Sequence, residues 1–240
     1  MELHPPRDGA SVVILSGGGL AAASEIPGAH DANGRWEGWA ESDLAQMDTW
    51  WRDRELVRRY YDMRRINCVH VFPNAAHEAL ARLQHRWGAR RVILISHTTD
   101  GLLYKAGADD VWEMYGSLWR LQCEEDDTHA HVQLAGKQSR DRRCAMCGAL
   151  MRPDVVWREE RPRHTEAIAA ALASCELFLA VGTDGGRMPE AGFVATAKAA
   201  GAHTVEINPK PTRAGFDEVH EGSAEALVPE LIGAWLGETP

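Results

Sequence analysis

The sequence predicts an α/β protein built on a doubly wound parallel sheet, with a smaller helical and cysteine-bearing module attached. Three observations predict it. Short β-branched apolar runs recur, "VVIL" (12–15), "RVILIS" (91–96), "ELFLAVG" (176–182) and "HTVEIN" (203–208), and unbroken apolar runs are what strands covered on both faces require. Each of the last three follows a stretch rich in Ala, Leu or Glu, and alternating helices and buried strands build a parallel sheet. Between Cys123 and Arg152 the pattern stops, and a polar, charged segment bearing cysteines takes its place.

Length and composition bound what such a chain does. Its 240 residues suit one core domain with a modest insertion. With 45% apolar and 25% charged residues it has the composition of a folded globular protein rather than a disordered one. The net charge of -9 argues against general binding to nucleic acid or anionic membrane, which relies on excess Lys and Arg. Its longest apolar runs fall far short of the roughly 20 residues of a spanning helix, so no membrane span is expected. The opening "MELHPPRDGA" lacks the basic-then-apolar order of a signal peptide, and a cytoplasmic location is expected. Five cysteines, an odd number, point to reduced thiols or metal ligands rather than disulfides.

Val12 to Leu15 runs into Ser16-Gly17-Gly18-Gly19 and then "LAAAS", which reads as strand, tight turn and helix start. Glycines there let backbone N–H groups approach a diphosphate at a helix N-terminus; a purely structural turn is the alternative. Asp43 to Cys68 is helical by periodicity and carries Trp50-Trp51 and Tyr60-Tyr61 among many arginines, which suggests a second small helical module. "VGTDGG" and "INPKP" follow two of the strands, so small or polar loops stand at strand C-terminal ends, where ligands bind in such sheets. Cys123, Cys144 and Cys147 have the spacing of three ligands of a structural zinc ribbon. Asp126, three residues beyond Cys123, is taken as the fourth, with His129 and His131 close by; a metal-free loop is the alternative. Cys68 and Cys175, in apolar surroundings, read as inert core thiols.

Eight blocks carry a family resemblance: "VVILSGGGLAAASEIP", "PNAAHEALARL", "SHTTDGLLYKAG", "WEMYGSLWRLQC", "CAMCGALMRPDVVW", "VGTDGGRMPEA", "TVEINPKPT" and "EGSAEALVPEL". In order and spacing they resemble the sirtuin family of NAD-dependent protein deacylases, from about residue 11 to 236. The resemblance implies a discontinuous Rossmann-like domain (1–42, 69–115 and 158–240), a helical module (43–68) and a zinc-ribbon-like module (116–157), with NAD in the cleft between them. It places cofactor contacts at Gly17, Gly18, Gly19, Ile26, Pro27, His30, Asp100, Gly182, Thr183, Asp184, Asn208 and Ser223. Tyr61 and Arg64 resemble the Tyr-x-x-Arg pair of the subgroup that removes acidic acyl groups such as succinyl, a guanidinium fork matching a carboxylate. Two residues on a solvated arginine-rich helix are the alternative.

The chain departs from the family where chemistry is done. Tyr115 stands where the family has the histidine that acts as a base on a ribose hydroxyl. A phenol with a reference pKa of about 10 is almost wholly protonated at pH 7, and burial moves it further from neutrality; a hydrogen-bonding or packing role for Tyr115 is the alternative. The family's Gln-Asn-x-Asp is His97-Thr98-Thr99-Asp100, so the aspartate thought to hold the nicotinamide amide is kept and the ribose-orienting asparagine is lost. Tyr115, Thr98 and His97 are therefore the candidate catalytic positions, with His97 as a substitute base. Glu25-Ile26-Pro27-Gly28-Ala29-His30 lacks the family's Phe-Arg, for which His30 is a partial substitute. Arg158-Glu159-Glu160 and Asp184-Gly185-Gly186-Arg187 replace the apolar edges that sandwich a substrate peptide, and Asp184 sets a carboxylate near the expected phosphate.

The expected activity is that of a divergent sirtuin-like enzyme cleaving the nicotinamide–ribosyl bond of NAD, with lysine deacylation or ADP-ribosyl transfer as outcome. The alternatives are a nucleotide-binding pseudoenzyme that senses or scaffolds, and an enzyme acting on a small NAD-derived metabolite. Expected partners are NAD, structural zinc, and an acylated lysine peptide or a small metabolite.

Overall fold

In a computed structural model, residues 6–27, 35–183 and 190–238 are described. The chain opens with β1 (Val12–Ser16), all five residues buried, followed by a 3-10 turn over Gly18–Ser24. A short hairpin, β2 (Arg35–Trp36) and β3 (Trp39–Ala40), leads into α1 (Glu41–Leu44), α2 (Met47–Arg52) and α3 (Arg54–Val69). The single helical stretch expected from 43 to 68 is thus three helices. Its last break is set by Asp53, whose carboxylate accepts from Leu56 N at 2.9 Å and caps α3. Asn74 caps α4 (Ala75–Trp87) with the reciprocal His77 contact of a capping box.

Then come β4 (Val92–Ser96), α5 (Leu102–Lys105), β5 (Val111–Glu113), β6 (Gly116–Cys123), β7 (Val132–Gln133) and β8 (Met151–Val155). The chain closes with α6 (Thr165–Leu172), β9 (Leu177–Val181), α7 (Phe193–Ala199), β10 (His203–Asn208), β11 (Glu218–Glu221) and α8 (Ala224–Leu236). Six strands form one parallel sheet in the order β11-β10-β9-β1-β4-β5. The expected doubly wound α/β fold is borne out, with the strand order reversing on either side of β1.

Period-two alternation distributes the core. Val12 and Ile14 of β1 face a layer containing α4 and α8, while Val13 and Leu15 face one containing α6 and α7. A third core joins Leu44, Trp50, Leu56, Val57, Tyr60 and Tyr61 of the helical segment to Leu118 of β6, Val155 of β8 and Trp157. The helices at 41–69 and the antiparallel sheet β7-β6-β8 therefore bury one another. Among the described residues no helix is long and apolar enough to cross a membrane.

Candidate functional site

A cleft of about 1110 Å³ opens where the C-terminal ends of β1, β4, β9 and β10 meet the helical layer. This is the strand-order reversal of the sheet, where two neighbouring loops diverge and leave a crevice. Gly17 and Gly19 are glycine because a second backbone crosses them. Gly17 N donates to Val181 O and Gly19 N to Gly182 O, each at 2.9 Å. A Cβ on Gly17 would lie 2.4 Å from Gly182 O, and one on Gly19 2.6 Å from Gly182 Cα. Gly182 itself has φ +59°. A Cβ on Gly18 would meet nothing within 4 Å, so Gly18 is the open member of the turn. Asn208 ties the next loop to this crossing, its Nδ2 donating to Thr183 O at 2.6 Å.

The loop after β4 supplies another wall, with His97, Thr98, Thr99 and Asp100 all lining the cleft. Ser96 Oγ lies 3.1 Å from Thr98 Oγ1, and His97 N donates to Ser16 O at 2.9 Å, which pins the loop to β1. Asp100 Oδ1 accepts from Leu102 N at 2.8 Å, and its carbonyl accepts from Trp119 Nε1 at 2.6 Å. Tyr115, in the turn between β5 and β6, is half-buried against the second core and is not among the lining residues. Its ring stands edge-on to His97 with centroids 5.3 Å apart.

Other expected site residues divide. Ile26 and Pro27 line the cleft with Gly182, Thr183 and Asn208. His30 and Asp184 lie outside the described residues. Ser223, expected at the cofactor, is not on the lining; its hydroxyl accepts from Ala226 N and caps α8, which serine does well by satisfying an orphan helix donor. The Tyr61–Arg64 pair is split. Arg64 lines the cleft, whereas Tyr61 is only 1% exposed, and its hydroxyl accepts from Trp157 Nε1 at 2.9 Å inside the third core. Burial pushes the Tyr61 hydroxyl up to about 12. Glu41, Cys68 and Lys210 also line the cleft without having been assigned to it. The "INPKP" loop pointed toward Lys210, while nothing in the spacing of Glu41 and Cys68 marks them.

Away from the cleft lining, Asp154 of β8 is fully buried within a cluster of cations. Arg120 Nε donates to its Oδ2 at 2.7 Å, His131 Nδ1 lies 3.1 Å away, and Arg163 bonds Oδ1. Burial opposes its charge, but His131, Arg163 and Arg120 prevail and hold the carboxyl well below the usual carboxylate range. Glu113 bonds the other side of Arg120, and burial pushes it up to about 6.

The cysteines converge. Cys123, His129, Cys144 and Cys147 bring their donor atoms within 4.8 Å of one another. Cys123 Sγ is 3.5 Å from Cys147 Sγ, and Cys144 Sγ is 3.4 Å from His129 Nδ1. A tetrahedral zinc with bonds of about 2.3 Å sets its ligands roughly 3.8 Å apart, so the set fits structural zinc as three thiolates and one imidazole. Asp126, expected as the fourth ligand, is corrected to His129. The Asp126 Oδ1 accepts from Thr128 N and Oγ1 at 2.9 and 2.6 Å, and Oδ2 lies 3.5 Å behind His129 Nε2. The carboxylate thus backs the imidazole rather than joining the cluster.

The Sir2 family model matches residues 17–189. An NAD-dependent protein deacylase of Pasteurella multocida (strain Pm70) is 35% identical over 231 residues, covering 94% of this chain and 97% of that protein. The NAD-dependent protein deacylase of Escherichia coli (strain K12) is 37% identical over 227 residues, covering 92% of this chain and 80% of that one. Among solved structures, a mutant Sir2 homologue in complex with 2'-O-acetyl ADP ribose superposes with a TM-score of 0.80 at 27% identity, covering 95% and 92% of the two chains.

Proposed function

From the premise that the chain belongs to the Sir2 family, we propose that it is an NAD-dependent enzyme that breaks the nicotinamide–ribosyl bond. Removal of an acyl group from lysine or ADP-ribosyl transfer is the outcome. The observation that carries this reading is the crossing of Gly17 and Gly19 against Gly182 at the mouth of a cleft whose wall also holds Asp100.

NAD supplies a ribosyl carbon whose bond to the nicotinamide ring nitrogen breaks with the electron pair going to the ring, while an acyl oxygen or another acceptor takes its place. The chain's residues position and exclude. Gly17, Gly19, Gly182, Thr183 and Asn208 hold the adenosine and diphosphate end, where a side chain at 17 or 19 would push the two loops apart, and Ile26 and Pro27 line the cleft toward the reacting ribose. Asp100 takes the role of acceptor for the nicotinamide amide; its 8% exposure and its bonds with Leu102 N and Trp119 support this. His97 is the imidazole on the wall and takes the role of base, with Thr98 beside it as a hydroxyl in place of an orienting amide. Tyr115 packs against His97 and supports its ring. Cys123, His129, Cys144 and Cys147 would hold zinc in a structural role, since four protein donors would leave no open position.

Release of nicotinamide from NAD, with and without an acetyl-lysine peptide, tests the reading. Peptide-stimulated release is the expected result for deacylation, and release without peptide points to ADP-ribosyl transfer or hydrolysis. NAD binding with no release under either condition defeats the enzyme reading in favour of a nucleotide-binding protein.

A further inference from the structure

One end of the Arg64 guanidinium is already paired within the chain. Its Nη1 lies 2.8 Å from Glu41 Oε1. The guanidinium carbon sits 5.8 Å from the centre of the Tyr60 ring. Glu41 is the first residue of α1 and Arg64 lies in α3, so the pair bridges two helices, and both side chains line the cleft. The phenol that would complete an acid-binding fork is absent from this wall, because Tyr61 faces Trp157 in the core.

The consequence is electrostatic. A guanidinium recognises a carboxylate through paired N–H donors in its plane. Here a carboxylate of the chain itself already sits on that group. An acyl chain ending in an acid would have to displace Glu41 or lie beside it, and two like charges at contact distance repel. An uncharged acyl group meets neither obstacle, since the Glu41–Arg64 pair presents no net charge.

We propose that Glu41 is a specificity-determining residue: its carboxylate fills the place on Arg64 where the acid of a succinyl-type acyl group would bind, so that the cleft takes lysine carrying short uncharged acyl groups and turns acidic ones away. This rests on the reading of the cleft as an acyl-lysine site. The competing account is an ordinary exposed ion pair, for Glu41 is about half exposed and such pairs contribute little. On that account its removal leaves selectivity unchanged.

The test is equilibrium binding of two fluorescent lysine peptides to the full chain with ADP-ribose present. One carries Nε-succinyl, the other its uncharged isostere Nε-succinamoyl. Wild type is expected to favour the uncharged peptide by about tenfold or more. Glu41→Ala is expected to reverse the preference by a similar factor, Glu41→Gln to abolish it, and Arg64→Met added to Glu41→Ala to erase the gain. Glu41→Gln keeps the side chain's size and serves if the alanine variant does not fold. A wild type that prefers succinyl, a ratio that Glu41 substitutions leave within twofold, or binding of neither peptide overturns the proposal. Nicotinamide release is read separately. Release with an unshifted ratio removes the role of Glu41 alone, and a shifted ratio without release removes the catalytic reading while keeping Glu41.

Discussion

An imidazole and a phenol stand ring to ring beside the end of β4, and of the two residues His97 lines the cleft, with its Nε2 buried. General base catalysis needs the base within hydrogen-bond reach of the substrate proton before its acidity matters, so position favours His97 over Tyr115. His97→Ala is expected to lower peptide-dependent nicotinamide turnover by about 100-fold or more, within the range for loss of a positioned base. Tyr115→Phe, which keeps the ring and removes the hydroxyl, is expected to change it less than about threefold. Steady-state rates for both variants decide the matter, and the reverse ranking would move the proton-handling role to Tyr115. At the metal cluster, Asp126 acts through His129 by the carboxylate 3.5 Å behind Nε2. Loss of such a supporting carboxylate weakens metal affinity about 10- to 100-fold. Asp126→Asn is therefore expected to retain zinc but yield it to a competing chelator at about one tenth or less of the wild-type concentration, whereas His129→Ala loses a ligand outright.

Strand β8 carries the buried charge that fastens the small module to the rest. Asp154 binds Arg120 of β6, His131 of the cysteine-bearing segment and Arg163 before α6. Asp154→Asn leaves these cations facing a neutral amide, and removing one partner of a buried pair costs about 3–5 kcal/mol. Urea unfolding of the zinc-loaded protein at pH 7 is expected to show a loss of that order. The pH dependence has a definite sign: a carboxyl whose folded pKa is depressed contributes stability above its unfolded value of about 3.9 and loses it as pH falls through the lower folded value. The gap between wild type and variant should be widest near pH 5 to 6, narrow as pH rises through the raised pKa of His131, which Asp154 holds protonated, and close below about pH 4. At this scale the sequence was readable where one interaction dominates. Buried runs such as Leu177–Val181 announce strands because nothing but a two-sided core explains them. Periodicity carried the reading of 43–68 straight through Asp53, since a cap depends on a single carboxylate rather than on a pattern. Asp126 was taken ahead of the nearby His129 for a related reason: residue spacing counts positions along the chain, while the loop through Thr128 decides which of two neighbours turns inward. Tyr61 and Ser223 match family positions, yet Trp157 and the start of α8 claim them in space.

Across the whole molecule, charge runs against the ligand proposed for it. The chain carries a net charge of -9, and the described cleft wall holds Glu25, Glu41 and Asp100 against Arg64 and Lys210. Arg64 is already paired, which leaves Lys210 as the wall cation without a salt bridge to a described carboxylate. An anionic dinucleotide must then be held chiefly by burial and close contact in the cleft, since the N–H groups of Gly17, Gly19 and Leu20 are spent on the carbonyls of Val181, Gly182 and Gly17, over a weak long-range repulsion. Screening lengths shrink from about 30 Å at 0.01 M salt to about 8 Å at 0.15 M, so added salt removes the distant repulsion first and leaves close contacts nearly intact. The affinity for ADP-ribose, measured calorimetrically from 0.02 to about 0.2 M sodium chloride, is accordingly expected to hold level or rise. A protein that grips phosphates with a cluster of lysines and arginines behaves in the opposite way, losing affinity steeply as salt displaces the ligand. A steep fall here would place the grip on cations rather than on the crossing of Gly17, Gly19 and Gly182. Lys210→Ala separates the local term: it should weaken binding at every salt concentration without changing the direction of the trend.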